Sequence, residues 1–154
     1  MRLLNRYSFA GAENEFSAAN IERAIEDLDE PLIEGLIHAS EKIYDALLLG
    51  RSYPETVGEG KTLSFNLKYV DWEHPENNVF HVTEEFPVES RDKLHNARPD
   101  LVVFLNGIPF GVIECKAPQI SVEQAVEQTV RNQQRDYIPQ LYKFAQIVMA
   151  TNKN

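Results

Sequence analysis

Three residues of this 154-residue chain invite a chemical reading before any fold is considered: Asp100, Glu114 and Lys116. Asp100 opens an apolar run from Leu101 to Leu105, and Glu114 and Lys116 close a second one that begins at Ile108. A carboxylate inside such a run costs on the order of several kcal/mol unless it is paired, hydrogen-bonded or bound to a cation. Side chains alternate along a strand, so Glu114 and Lys116 share one face and Cys115 points to the other. Two carboxylates and an ammonium meeting at one end of a sheet suit metal-assisted phosphodiester hydrolysis. Asp100, Glu114 and the backbone carbonyl of Cys115 offer hard oxygens to Mg²⁺, or to Mn²⁺ in its place, with water and phosphate oxygens completing the shell. Such a metal lowers the pKa of a bound water and shields charge on phosphorus. Lys116 would orient the attacking water, help deprotonate it, or stabilise the pentacovalent state, and the sequence leaves those roles open. The same residues also admit a structural reading, with Asp100 bonded to backbone at a strand start and Glu114 ion-paired to Lys116.

The chemistry makes a geometric demand. Asn106-Gly107 between the two apolar runs is a strong hairpin signal. Strict two-residue pairing sets Leu105 against Ile108 and Asp100 against Ile113, which turns Asp100 and Glu114 to opposite faces. A metal site needs an offset of one residue, from a three-residue loop or a bulge near Asn106 to Pro109. The expectation is that this offset exists.

The surrounding pattern predicts the scaffold. Asn20 is positioned to cap a helix carrying Ile21, Ala24, Ile25 and Leu28, interrupted at Asp29 to Pro31. A second helix from Leu32 carries a wide apolar stripe to Leu49 and ends at Gly50. Residues 1 to 16 show no clear period. After a Pro- and Gly-bearing segment, 53 to 60, Leu63, Phe65, Leu67 and Tyr69 alternate with polar residues as in a half-wet strand. A loop at His74 to Asn78, a strand from Val79 to Val88 and an exposed charged connection from Glu89 to Ala97 follow. Both hairpin strands are apolar on both faces, as in the middle of a covered sheet. Ser121 to Gln124 fits a capping box opening a helix to about Arg135, with a stripe of Val122, Val126, Val130, Gln133 and Tyr137. Ala145 to Thr151 reads as a last buried strand. The predicted class is α/β: one domain over 1–154, with a helical part at 1–50 and a mixed, largely antiparallel sheet flanked by helices at 61–154.

Composition narrows the function classes. A chain of this length buries roughly 68 to 70% of its unfolded surface without disulfides or a structural metal, and a single Cys forbids an internal disulfide. No apolar run approaches a membrane span and the first residues lack a secretory core, which predicts a cytoplasmic protein with no membrane partner. Acids outnumber bases 24 to 15, the reverse of a protein that grips nucleic acid unaided, so a nucleic-acid substrate would be delivered by something else. Gly58 to Thr62 ends like a phosphate-binding loop, but Glu55 occupies the position of the first glycine and a strand follows instead of a helix. His74 and His81 lack neighbouring Cys ligands for zinc. Cys115 reads as a small buried hydrophobe, and Tyr69 and Trp72 as core.

Pro99-Asp100, thirteen intervening residues, and Glu114-Cys115-Lys116 resemble the PD-(D/E)-x-K nuclease signature. The segments Asn77 to Phe86, Arg98 to Pro109 and Asn132 to Pro139 narrow this further. They resemble the N-terminal nuclease region of the restriction (R) subunits of type I restriction-modification enzymes, with similarity from about Leu36 to Asn154. That resemblance implies a restriction-endonuclease-like core and Mg²⁺-dependent cleavage of double-stranded DNA. It also implies an ATP-driven motor downstream of this chain, methylation and specificity subunits as partners, and a bacterial or archaeal cytoplasm. The family's Gln-x-x-x-Tyr motif maps onto Gln133 and Tyr137, which would touch DNA or shape the site; a polar cap on a helix end is the plainer reading. Nucleases of this class often add an acidic ligand from an early helix, for which Glu34, Glu41 and Glu85 are candidates. The alternatives are a repair or junction nuclease of the same fold, and a non-catalytic docking module.

Overall fold

The computed structural model describes residues 5–94 and 96–152, so whatever the sequence predicts for Met1 to Leu4, His95, Lys153 and Asn154 lies outside the described residues. A hairpin of β1 (Arg6–Phe9) and β2 (Ala12–Glu15) precedes α1 (Ala18–Leu28) and α2 (Leu36–Leu49). A second hairpin, β3 (Arg51–Val57) and β4 (Lys61–Leu67), leads to β5 (Phe80–Glu84) and to the short pair β6 (Val88–Glu89) and β7 (Asn96–Ala97). Then come β8 (Leu101–Leu105), β9 (Ile108–Lys116), α3 (Val122–Asn132), α4 (Pro139–Tyr142) and β10 (Ile147–Asn152).

The main sheet has the order β10-β9-β8-β5, antiparallel except for the parallel pair β9 and β10, which α3 connects. It is the mixed, largely antiparallel sheet with helices that the alternation predicts. The hairpin lies at its centre, as its doubly apolar strands require. Leu105 and Ile108 face one apolar cluster with Ile43, Leu47, Leu67 and Tyr69, while Val102 and Val112 face another with Ile138, Leu141 and Tyr142. Among the described residues, no helix is long and apolar enough to cross a membrane.

Several expectations are corrected. Ser17, not Asn20, caps α1; the Asn20 amide instead donates to Pro54 O at 2.7 Å and to Glu55 at 2.8 Å. Of the segment 53 to 60, read as a linker, residues 53–57 belong to β3, because Tyr53 and Glu55 have inward places opposite β4. The helical first third begins with a hairpin, and Gly35 breaks the second helix, leaving Ile33 and Ile37 exposed outside the apolar stripe. Gly50 does end α2, at φ 73°. The last strand is an edge, and its Ile147, Val148 and Met149 are exposed, not buried.

Asn106 ties the hairpin turn to the rest. It sits at φ 54° before Gly107 at 84°, the backbone of a tight twisted turn. Its side chain is buried, donating to Tyr69 O at 2.9 Å and Asn78 Oδ1 at 2.8 Å, and accepting from Val79 N–H at 2.8 Å. Asn106→Ala leaves those buried groups unpaired in a strained backbone, and is expected to lower stability by about 2 to 4 kcal/mol. Urea unfolding with an unchanged m-value checks this.

Candidate active site

The turn between β8 and β9 has two residues, with Leu105 paired to Ile108 and Phe104 to Pro109. Val103 then pairs with Gly111, so Phe110 is an extra residue in β9. This bulge supplies the predicted offset, just past the expected window, without lengthening the loop. Proline fits beside it because a bulged position can forgo a ladder hydrogen bond. The displaced Phe110 carbonyl accepts from Gln146 N–H at 2.8 Å, which compensates the broken ladder. Beyond the bulge Leu101 pairs with Ile113, and one step further Asp100 stands opposite Glu114.

The two acids therefore meet at the open end of the hairpin. Asp100 Oδ2 accepts the Cys115 N–H at 2.7 Å, and Glu114 is completely buried. Gln128 on α3 joins the second acid to the lysine: its Nε2 donates to Glu114 Oε2 at 2.8 Å, and its Oε1 accepts from Lys116 Nζ at 2.7 Å. Asn132, one turn on, approaches Glu114 Oε1 at 3.5 Å. Asp100, Glu114, Gln128 and Lys116 form one connected polar cluster against α3. Glu114 and Lys116 are linked through the amide of Gln128, which departs from the simple ion pair of the structural reading.

Burial pushes the Glu114 carboxyl up to about 7, and the charge of Asp100, with a hydrogen bond to it that favours the protonated acid, acts in the same direction. Lys116 and Gln128 oppose the shift without cancelling it. Because the folded value exceeds the unfolded one of about 4.3, the native state holds the extra proton between those values. Stability falls as pH rises through that window.

Gln133 and Tyr137 lie apart from this cluster. Helix α3 ends at Asn132, so the two do not share a helix face. Gln133 is the C-cap, half-buried, and its Nε2 donates back to Thr129 O at 3.2 Å. The Tyr137 ring carries the Arg131 guanidinium at 5.5 Å from its centroid. Sequence periodicity misassigned the helix face. Val126 and Val130 are outside, and the sheet side is Ala125, Gln128, Thr129 and Asn132, because that side must serve a buried carboxylate. Gln128 and Asn132 are therefore the site residues that sequence reasoning missed, and their i, i+4 amides were the available signal. Arg131 is the other, lining with Lys116, Gln124 and Gln128 a cleft of about 480 Å³.

Cys115 is exposed, on the face away from Glu114, not buried as expected. Trp72 is half-exposed, its Nε1–H bonded to Leu47 O at 2.8 Å, whereas Tyr69 is core. Glu34 pairs with His38 and Lys42, and Glu41 lies 4.0 Å from His38, on the exposed side of α2. Glu85 is exposed, and it touches the site strand only through its backbone, N–H to Asp100 O at 2.9 Å. Among the described residues no three His, Cys, Asp or Glu side chains converge on a metal position. Two adjacent carboxylates, one of them with its pKa raised by burial and by the charge of the other, are nevertheless a donor set whose repulsion a divalent cation would relieve. With the Cys115 carbonyl and water, they fit Mg²⁺, which keeps much of its hydration.

An acid pair and a lysine at the bulged end of a sheet-centre hairpin is the arrangement against which comparison with other proteins becomes informative. Residues 3–154 match the family model for the N terminus of type I restriction enzyme R proteins, and the chain belongs to that family. Two Methanocaldococcus jannaschii proteins named as type I restriction enzyme endonuclease subunits are similar to it. MjaIXP is 33% identical over 118 residues, covering 72% of this chain and 11% of the relative, and MjaVIIIP is 28% identical over 139 residues, covering 88% and 12%. The Staphylococcus saprophyticus subunit SsaAORF53P is 29% identical over 86 residues, 56% of this chain and 9% of its own length. The chain thus spans about a tenth of the relatives it matches.

Two substitutions should move the Glu114 titration in opposite directions. Asp100→Asn removes the neighbouring charge and lowers the midpoint, while Gln128→Leu removes a donor to the carboxylate and raises it; side-chain carboxyl NMR reads both. Glu114→Gln removes the desolvated charge and should raise Tm by about 2 to 8 °C at pH 8, with the benefit vanishing toward pH 4.

Proposed function

We propose that this domain is the metal-dependent nuclease module of a type I restriction enzyme R subunit, cleaving double-stranded DNA at the Asp100–Glu114–Lys116 cluster. The observation that carries the reading is the Phe110 bulge, which turns two distant acids to one face beside a lysine. Asp100 and Glu114, with the Cys115 carbonyl, would hold Mg²⁺, which when bound supplies electrophilic activation of the phosphodiester and of water.

The protein's own groups account for the rest. The Cys115 N–H fixes one oxygen of Asp100 and leaves the other directed away from that bond. Gln128 orients Glu114 and Lys116 together, so the ammonium is held beside the carboxylate pair. From there Lys116 can stabilise negative charge developing on phosphorus or steer the attacking water. Burial of Glu114 keeps the carboxylate pair partly protonated near neutrality, which limits the repulsion between the two acids.

The motor, the ATP it consumes, and the methylation and specificity subunits belong to the whole enzyme in this reading. They suit a domain whose net charge of −9 opposes unaided capture of DNA.

The test uses the full-length subunit in its assembled complex. Lys116→Ala is expected to lower cleavage by about 10² to 10³ with translocation intact, and Asp100→Asn to abolish both cleavage and the calorimetric signature of Mg²⁺ or Mn²⁺ at this site. Cleavage that survives both substitutions would mean that the domain docks other parts and does not cut.

A further inference from the structure

Besides the cleft at Lys116, the domain has a larger groove of about 620 Å³ whose walls include Leu32, Ile33, Arg91, Gln133 and Arg135. Its construction is specific. The chain at 91–92 runs beside the turn after α3, with Arg91 N–H bonded to Tyr137 O at 2.8 Å and Asp92 N–H to Asp136 O at 3.4 Å. Gln140 Nε2 donates to Glu89 O at 2.8 Å and clamps the same segment to α4. The opposite wall is fixed by Lys143, buried, which donates to Asp29 Oδ1 and Glu30 O at 2.6 Å each.

Into this fixed frame project two arginines that have no ion-pair partner among the described residues. Among the described residues no carboxylate oxygen lies within 4.0 Å of the guanidinium of Arg91 or Arg135. The nearest acid in sequence to Arg91, Asp92, is taken up by Ser90 Oγ and Leu94 N–H. In a chain with nine more acids than bases, the lining of this groove carries two guanidiniums and no carboxylate, the acids Asp92 and Asp136 lying in the adjoining segments. A guanidinium presents a planar fork of donors suited to phosphate oxygens. Tyr137 links this groove to the site: its carbonyl holds Arg91, and its ring carries Arg131, which lines the cleft with Lys116. Gln133, on the groove, directly follows Asn132, which touches Glu114.

We propose that the Arg91–Arg135 groove is a second phosphate subsite, binding the backbone of the DNA duplex to one side of the bond cut at Glu114 and Lys116. It rests on the nuclease reading above and extends it from the cutting centre to the residues that hold duplex in register. Arg131, borne on the Tyr137 ring, stands between the two. The turn from Gln133 to Tyr137 thereby acquires a physical role, as the support on which three arginines are mounted.

The test compares the full-length subunit with an Arg91→Gln/Arg135→Gln double variant and with the Arg91→Lys/Arg135→Lys pair, using linear duplex DNA at stepped salt. Two lost phosphate contacts should make the dependence of log affinity on log salt shallower by about 2. Cleavage by the assembled complex should fall about tenfold near physiological salt, recover at low salt and return largely in the lysine pair. Mg²⁺ binding at Asp100 should be unchanged, which separates this result from failure of the nuclease reading, where Asp100→Asn leaves cutting intact. An unaltered salt slope with unaltered cleavage overturns the subsite. So does loss of cleavage accompanied by weakened subunit assembly at constant salt slope, which would make the groove a seat for an acidic protein surface.

Discussion

A one-residue mismatch between two neighbouring strands sets the geometry of the Asp100, Glu114 and Lys116 cluster. Side chains in a sheet alternate with a period of two, so a single extra residue exchanges one face for the other along everything that follows. Phe110 is that residue. Before it, the hairpin obeys its tight Asn106-Gly107 turn; after it, Asp100 and Glu114 stand opposite one another and Lys116 follows on the same face. The bulge is held on both sides, by Pro109 in the strand and by Gln146, whose N–H takes the carbonyl the ladder gives up. A site built from strand positions is precise because packing on both faces fixes them, and here both faces are core.

The second constraint is electrostatic. Glu114 is wholly buried beside another acid, an arrangement no stability argument favours. Two amides from α3 and the ammonium of Lys116 make it tolerable, and burial leaves it protonated over part of the neutral range. Strained arrangements of this kind concentrate where function requires a group to be poised for a partner. The helix serving Glu114 gives up an apolar inner face to do so: Gln128, Thr129 and Asn132 face inward while Val126 and Val130 face solvent.

Much of this was legible in the residues. The hairpin was readable because Asn-Gly between two β-branched runs has few other solutions, and the demand for a bulge followed from counting residues between the acids. The central position of those strands followed from their apolarity on both faces. What escaped the sequence depended on tertiary partners. Ser17 outcompetes Asn20 as a cap because Asn20 has partners on β3, whose own strand character was masked by Pro54 and the glycines after it. The buried face of α3 was misread because hydrophobic period is a guide only when the core being served is apolar. Here it includes a carboxylate. The same error placed Gln133 and Tyr137 on one helix, when the helix stops before either.

The extra residue in β9 also changes how variation in this region should be weighed. Replacing Phe110 by another bulky residue alters its packing against Trp72 and the neighbouring core cluster but leaves the register in place. Removing it changes no acid, no lysine and no turn residue, yet would bring Asp100 back against Ile113 and separate the pair. Among divergent relatives the hairpin should accordingly drift more freely in spelling than in length, and an alignment gap there reports on the chemistry more directly than any mismatch beside it.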